Sequence, residues 1–135
     1  GLKVLLFPIL RIEERREKEW RGSLNPTNRE RWLASYRRFT LHYARIASRL
    51  GVELFSVGSE LCSVEKEERF WRDLIAQIRK FYRGDLLYSA NWDHYNKIDF
   101  WDALNYLGLN GYYELTTNRS PTIQEITRRW WDIEN

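Results

Sequence analysis

The sequence predicts an α/β protein, about half of a (β/α)8 TIM barrel with parallel strands and outer helices. Short apolar runs alternate with amphipathic stretches in the order β-α-β-α-β-short α-β-α. Such alternation implies a parallel sheet with helices outside it. No Gly-x-Gly-x-x-Gly or Gly-x-x-x-x-Gly-Lys loop follows any strand, which removes support for the nucleotide-binding open sheets. The strands end instead in polar and aromatic groups: Gly58-Ser59-Glu60, Ala90-Asn91-Trp92-Asp93-His94 and Asn110-Gly111-Tyr112-Tyr113-Glu114. A barrel mouth lined for a polar, ring-shaped ligand has this character.

Leu2–Phe7 is a continuous apolar run stopped by Pro8, the pattern of a strand buried on both faces. A charged loop follows to about Asn28. Thr27 and Glu30 have capping-box spacing, and Trp32, Tyr36, Phe39, Tyr43, Ala47 and Leu50 then recur along one helical face until Gly51. Val52–Val57 is the next strand. Ser63 is placed to cap a helix with an acidic first turn (Glu65, Glu67, Glu68). Phe70, Leu74, Ile78 and Phe81 supply its buried stripe, and Gly84 closes it. Leu86–Ala90 is the third strand. A connection containing Phe100, Trp101 and Leu104 leads to the fourth, Tyr106–Tyr112. There the two-residue period puts Asn110 and Tyr112 on one face, expected to point into the barrel. Thr122 and Glu125 repeat the capping-box spacing before a last helix.

A length of 135 residues suits one domain, whereas a whole barrel takes about 250. Met is absent and residue 1 is a Gly placed directly before a strand. Residues 1–135 are therefore expected to be an internal piece of a single barrel domain. With 43% hydrophobic and 30% charged residues and no apolar run of membrane-spanning length, no membrane partner is expected. The net charge is only +3, and the Arg11–Arg21 loop interleaves Glu with Arg. A solvated loop explains that stretch better than a nucleic-acid surface. The single cysteine, Cys62, excludes an internal disulfide and leaves the compartment open.

Glu60 carries the strongest chemical signal, since parallel barrels place their chemistry at strand C-terminal ends. Glycoside hydrolysis needs a proton donor and, in retaining enzymes, a carboxylate nucleophile about 5–5.5 Å away. Glu60 suits the first role; the bland alternative is a carboxylate that merely charges the following helix. Asp93 and Glu114 are the other strand-end carboxylates, and either is open as its partner or as a solvated loop acid. His42 and His94 share no ligand spacing, so no metal is expected. Ser59 and Cys62 have no base arranged to make them nucleophiles. No cofactor is expected. The seven Trp and eight Tyr include Trp32, Trp71, Trp130 and Trp131 on helices, where packing between helix and barrel accounts for them. Trp20, Trp92, Tyr112 and Tyr113 lie in or beside strand-end loops, where rings can stack on sugars.

Several segments, in order and covering nearly the whole chain, resemble the β-mannanase-like glycoside hydrolase family 113. They are Gly1–Leu6, Trp20-Arg21-Gly22, Phe55–Leu61, Tyr88–Trp92, Phe100–Leu104 and Gly108–Tyr113. This family sits in a clan of retaining (β/α)8 hydrolases with the acid/base Glu at the end of strand 4. The resemblance implies that the four strands are barrel strands 3 to 6 and that Glu60 is the acid/base. It further implies that Tyr112 orients the nucleophile and that Asn91 and Trp92 lie near the sugar. Trp20 and Ser59 complete the expected substrate contacts, and the nucleophile Glu is expected on strand 7, beyond Asn135. The chain has Phe7-Pro8-Ile9 where many members carry Lys and His around the proline, and Ser59 where the clan often has Asn. The implied partner is an oligo- or polysaccharide with β linkages, with mannan as one candidate. The other reading is a barrel-derived glycan-binding or structural module without catalysis. Half a barrel exposes two sheet edges, which invite self-association.

Overall fold

The structure, a computed structural model, describes residues 1–13 and 19–135. Four parallel strands form one sheet in chain order: β1 (Leu5–Leu6), β2 (Leu54–Ser59), β3 (Asp85–Asn91) and β4 (Tyr106–Asn110). α1 (Arg29–Leu50) joins β1 to β2, α2 (Glu68–Arg79) joins β2 to β3, and α3 (Ile123–Glu134) follows β4. Between β3 and β4 the chain makes two short 3-10 turns, Tyr95–Lys97 and Trp101–Ala103. This is the α/β order that the alternation predicts. Of the charged loop Arg11–Arg21, residues 14–18 lie outside the described residues.

The capping of α1 differs by one position from the expected box at Thr27. Asn28 is the N-cap, because its side-chain oxygen accepts from Arg31 N–H at 2.9 Å. At the other end Gly51 adopts φ +65°. Val52 N–H reaches Ala47 C=O and Gly51 N–H reaches Ser48 C=O, the paired bonds of a Schellman ending that need a left-handed residue. The fully buried face is Tyr36, Thr40, Ala44 and Ala47, while Trp32, Phe39 and Tyr43 are half-buried at its rim. Small side chains bring the helix close to the sheet, and Tyr36 Oη donates to Val57 C=O at 2.9 Å. Leu50, the last residue of the expected stripe, is exposed beside the terminal glycine.

Ser63 does not cap α2. The chain turns through residues 62–66 and the helix starts at Glu68, with Glu67 as its N-cap. Val64 C=O is taken by Trp71 Nε1–H at 2.9 Å, and Glu65 is drawn inward rather than placed in the first helical turn. The helix also ends at Arg79, well before Gly84. Its stripe is otherwise as expected, with Phe70, Trp71, Leu74, Ile75 and Ile78 buried and Phe81 at the rim. At its base Arg37 pairs with Asp73 of α2, and Arg79 with Asn105 ahead of β4.

The core lies between the sheet and the two helices. Phe55 and Val57 of β2 and Leu86, Tyr88 and Ala90 of β3 point into it. The expectation of a strand buried on both faces fails for the first element. Only Leu5–Leu6 pair as strand, and Leu2, Val4 and Leu5 are exposed, because β1 has a neighbour on one side only. β4 is the opposite edge, with Tyr106, Leu107 and Leu109 exposed for the same reason. Trp130 and Trp131 are likewise exposed rather than packed between helix and sheet.

Gly58 shows how tightly the centre is filled. A Cβ there would lie 2.8 Å from Tyr88 Cε2 and 3.0 Å from both Trp71 Cη2 and Tyr36 Oη. Gly58→Ala is expected to cost about 1–3 kcal/mol by overpacking. Urea unfolding reads this as a lowered midpoint, and an unchanged midpoint would show that the three rings can give way.

Candidate functional site

The end of β2 is irregular, and that irregularity places Glu60. Ser56 pairs with Leu87 but Ser59 pairs with Ser89, so β2 holds one more residue than β3 over the same span. That is a bulge, which bends a strand and re-aims the side chains after it. Ser56 Oγ donates to Gly58 C=O at 2.9 Å within it. Glu60 then adopts φ +49°, the one left-handed non-glycine among the described residues. Its N–H still donates to Ser89 C=O at 2.8 Å. A left-handed glutamate costs conformational energy and persists where the surroundings over-determine it, commonly at functional sites.

Glu60 is 4% exposed, and its carboxylate does not stand alone. Arg21 Nη2 donates to Glu60 Oε2 at 2.6 Å. Arg21 opens a 3-10 turn, Arg21–Ser23, that Trp20 caps: Trp20 N–H donates to Ser23 Oγ, which returns a bond to Trp20 C=O. Ser63 N–H donates to Gly22 C=O at 3.0 Å, fastening the turn to the loop behind Glu60. Arg21 Nε is buried without a partner among the described residues. Sequence reasoning missed Arg21 as a site residue because its loop reads as mutually cancelling charge. Its one signal was membership of Trp20-Arg21-Gly22.

Arg21→Met would leave a buried carboxylate unpaired. Breaking a buried pair costs roughly 3–5 kcal/mol, and the Arg21 side chain is 27% exposed, so about 2–3 kcal/mol is expected here. In a Glu60→Gln background the same change should cost much less. Chemical unfolding of the four proteins of this double-mutant cycle measures the difference, and equal losses in both backgrounds would refute the coupling.

The other expected site residues divide into two groups. Ser59 is buried and accepts from Asn110 Nδ2 at 3.2 Å, which puts Asn110 on the face away from the helices. Asn91 ends β3, and its Nδ2 donates to Asp93 Oδ1 at 2.7 Å. Tyr112 departs from expectation. β4 stops at Asn110, Tyr112 N–H turns back to Asn110 C=O at 3.0 Å, and the side chain is 80% exposed. The two-residue period therefore ends before it. Trp20 lies against Gly22 and lines a cavity of about 300 Å³ with Leu24, Pro26 and Trp32.

Trp92 packs on Tyr113 with ring centroids 5.2 Å apart, and Tyr113 meets Trp130 edge-on at 6.0 Å. Trp92 and Tyr113 border an open cleft of about 420 Å³ that Glu114, Arg129 and Asp132 also line. Glu114 is exposed, and its C=O accepts from Arg129 Nε at 3.4 Å. A larger cavity, about 490 Å³, opens against α1 beside His42, Arg45 and Phe81. Among the described residues no carboxylate lines it, and it lies by the C-terminal half of α1 rather than at the C-terminal ends of the strands.

A second cluster went unseen in the sequence. Tyr88 Oη accepts from Leu61 N–H at 2.8 Å and donates to Glu65 Oε1 at 2.8 Å. Glu65 Oε2 lies 3.3 Å from His94 Nδ1. Burial pushes the Glu65 carboxyl above its ordinary range, and burial together with the Glu65 charge raises the Tyr88 phenol. Burial, with the Glu65, Asp93 and Glu60 carboxylates, pushes the Cys62 thiol up to about 12. At neutral pH Cys62 is a protonated thiol and a poor nucleophile.

A family model described as Glycoside Hydrolase Family 113 matches residues 1–133. A solved GH113 β-1,4-mannanase is 32% identical, with a TM-score of 0.75 over 99% of this chain and 42% of that one. A complex structure of a GH113 β-1,4-mannanase gives 31% identity and a TM-score of 0.74, over 99% of this chain and 44% of that one. A GH113 β-mannanase from Alicyclobacillus acidocaldarius in complex with ManMIm gives 32% identity and a TM-score of 0.68. That match takes in 81% of this chain and 38% of that one. The chain thus spans less than half the length of these structures. No curated protein matches it.

Proposed function

The chain belongs to glycoside hydrolase family 113, and from that premise we propose that Glu60 is the general acid/base of a retaining glycosidase acting on a β-linked mannan. One observation carries the reading: a buried carboxylate at the end of a barrel-type strand, held in a left-handed backbone and bonded to Arg21. In the first step the Glu60 carboxylic acid protonates the glycosidic oxygen while a second carboxylate attacks the anomeric carbon, and the leaving sugar departs as an alcohol. In the second step Glu60, now a carboxylate, takes a proton from the water that cleaves the glycosyl-enzyme bond. The Arg21 bond to a carboxylate oxygen suits that step.

On this reading the chain is an internal piece covering barrel strands 3 to 6, and the nucleophile lies beyond residue 135. Ser59 and Asn91 contribute polar contacts and Trp92 a stacking face. Tyr112, exposed past β4, is free to meet the strand carrying the nucleophile, and Trp20 acts by capping the turn that presents Arg21. The substrate assignment rests on the β-1,4-mannanase descriptions of the similar structures.

The test is to treat the full-length protein with an activated 2-fluoro-β-mannoside and map the labelled peptide. The label is expected outside residues 1–135, with retained anomeric configuration in the product of an unmodified glycan. Labelling of Asp93 or Glu114, or inversion, would overturn the assignment. The 135-residue chain alone is expected to be inactive and to self-associate through β1 and β4, whose outer edges and apolar side chains are open. Sedimentation velocity of the isolated chain reads this, and a strict monomer would contradict it.

A further inference from the structure

The residues around the Cys62 thiol converge in a way that glycoside hydrolysis does not use. Cys62 and Glu65 sit at the two ends of one turn, three residues apart, and His94 comes from the separate loop after β3. Cys62 Sγ, a carboxylate oxygen of Glu65 and a ring nitrogen of His94 all lie within 4.8 Å of one another. The sequence offered no spacing to reveal this, because the third residue arrives only through the pairing of β2 with β3.

The donor set and its dimensions are those of a transition-metal site. Thiolate, imidazole and carboxylate together are zinc ligands, with bonds of about 2.0–2.3 Å, so ligand atoms of a tetrahedral ion stand about 3.3–3.7 Å apart. Glu65 Oε2 and His94 Nδ1 are 3.3 Å apart. That is loose beside the roughly 2.7–2.9 Å of a charge-assisted hydrogen bond, but it matches two ligands on one ion. Glu65 is already oriented from behind by Tyr88 Oη, bonded to its other oxygen at 2.8 Å, as the ligands of metal sites commonly are. Cys62 and His94 are each only half-buried, which leaves a path in and room for a fourth ligand.

We propose that Cys62, Glu65 and His94 bind a divalent transition metal of the zinc class, with water as fourth ligand. Binding replaces the Cys62 S–H bond with a metal–sulfur bond and releases that proton to solvent. His94 contributes the Nδ1 lone pair as neutral imidazole, and the metal keeps its oxidation state. Because Tyr88 Oη also accepts from Leu61 N–H, the ion would brace the backbone immediately after Glu60.

The experiment is a cobalt(II) titration of the chelator-treated protein that carries this chain. A thiolate-to-cobalt charge-transfer band with tetrahedral d–d bands is expected, displaced by zinc. Cys62→Ser should abolish the charge-transfer band. His94→Gln should weaken cobalt binding by more than the roughly 10–100-fold that losing a merely orienting neighbour costs. Should either variant fail to fold, alkylation of the wild-type protein decides: zinc should protect Cys62, identified by peptide mapping. Absence of the charge-transfer band at saturating cobalt, a band that persists in Cys62→Ser, or alkylation of Cys62 unaffected by zinc would each overturn the site. None of these readouts depends on the glycosidase reading.

Discussion

Glu60→Gln in the full-length protein is expected to slow hydrolysis of a β-1,4-linked mannan by about 10²–10⁴-fold, the usual worth of a positioned general acid. Gln keeps the size of the side chain and an oxygen that can accept from Arg21, so the loop after β2 should hold its shape. What is lost is the transferable proton. A sugar alkoxide is a poor leaving group and needs that proton, whereas an activated aryl group leaves without it. The first step on an aryl mannoside should therefore lose far less than the step on mannan. The second step still lacks its base, so the glycosyl-enzyme should accumulate and show as a burst of aryl alcohol. Stopped-flow and steady-state rates on the two substrates separate these effects. Unchanged turnover of mannan would remove Glu60 from the chemistry and return the acid role to another carboxylate.

The largest stability effect is expected from Trp71→Ala, about 3–5 kcal/mol. Trp71 is 0% exposed and stands at the meeting point of every layer. It stacks on Phe100 with centroids 5.2 Å apart, and meets Tyr88 at 5.2 Å, Phe70 at 5.3 Å and Tyr36 at 5.8 Å in edge contacts. These rings are held by their own elements. Tyr36 is tied to β2 and Tyr88 to the loop after it, so they cannot collapse into the space vacated. The substitution also strips Val64 C=O of the Nε1–H bond at 2.9 Å, loosening the turn that carries Cys62 and Glu65. A typical domain has only about 5–15 kcal/mol in hand, so the variant should sit near the edge of folding. Urea unfolding measures the loss, and a cost under about 1 kcal/mol would mean that the core refills the void.

The strand and helix order was legible because periodicity depends on which face is buried, and that is set by the sheet at the centre of the chain. It was weakest at the margins. Leu2–Phe7 has the composition of a fully buried strand, but burial on both faces needs neighbours on both sides, and β1 has one. Boundary errors at Thr27 and Ser63 have a different source. Both hydroxyls stand where a cap is chemically reasonable, but Asn28 and the Trp71–Val64 bond decide the geometry. Glu60 could be read because it ends an apolar run. Arg21 and His94 could not, since each acquires its role from a contact across 29 residues or more, and spacing along the chain carries no trace of it.

The bulge in β2 also bears on how relatives of this chain are to be matched to it. Because β2 carries one residue more than β3 between Ser56 and Ser59, the inward and outward alternation of the strand changes phase at Gly58. Deleting one residue there would leave the hydrophobic run readable and Ser59 still opposite Ser89, yet would take out the bulge and with it the bend that aims Glu60. A gap misplaced by a single position near Gly58 would assign the acid to a neighbouring residue while every strand and helix still agreed. The functional numbering of this region is set by a phase in the backbone, and only secondarily by the glutamate that the phase delivers.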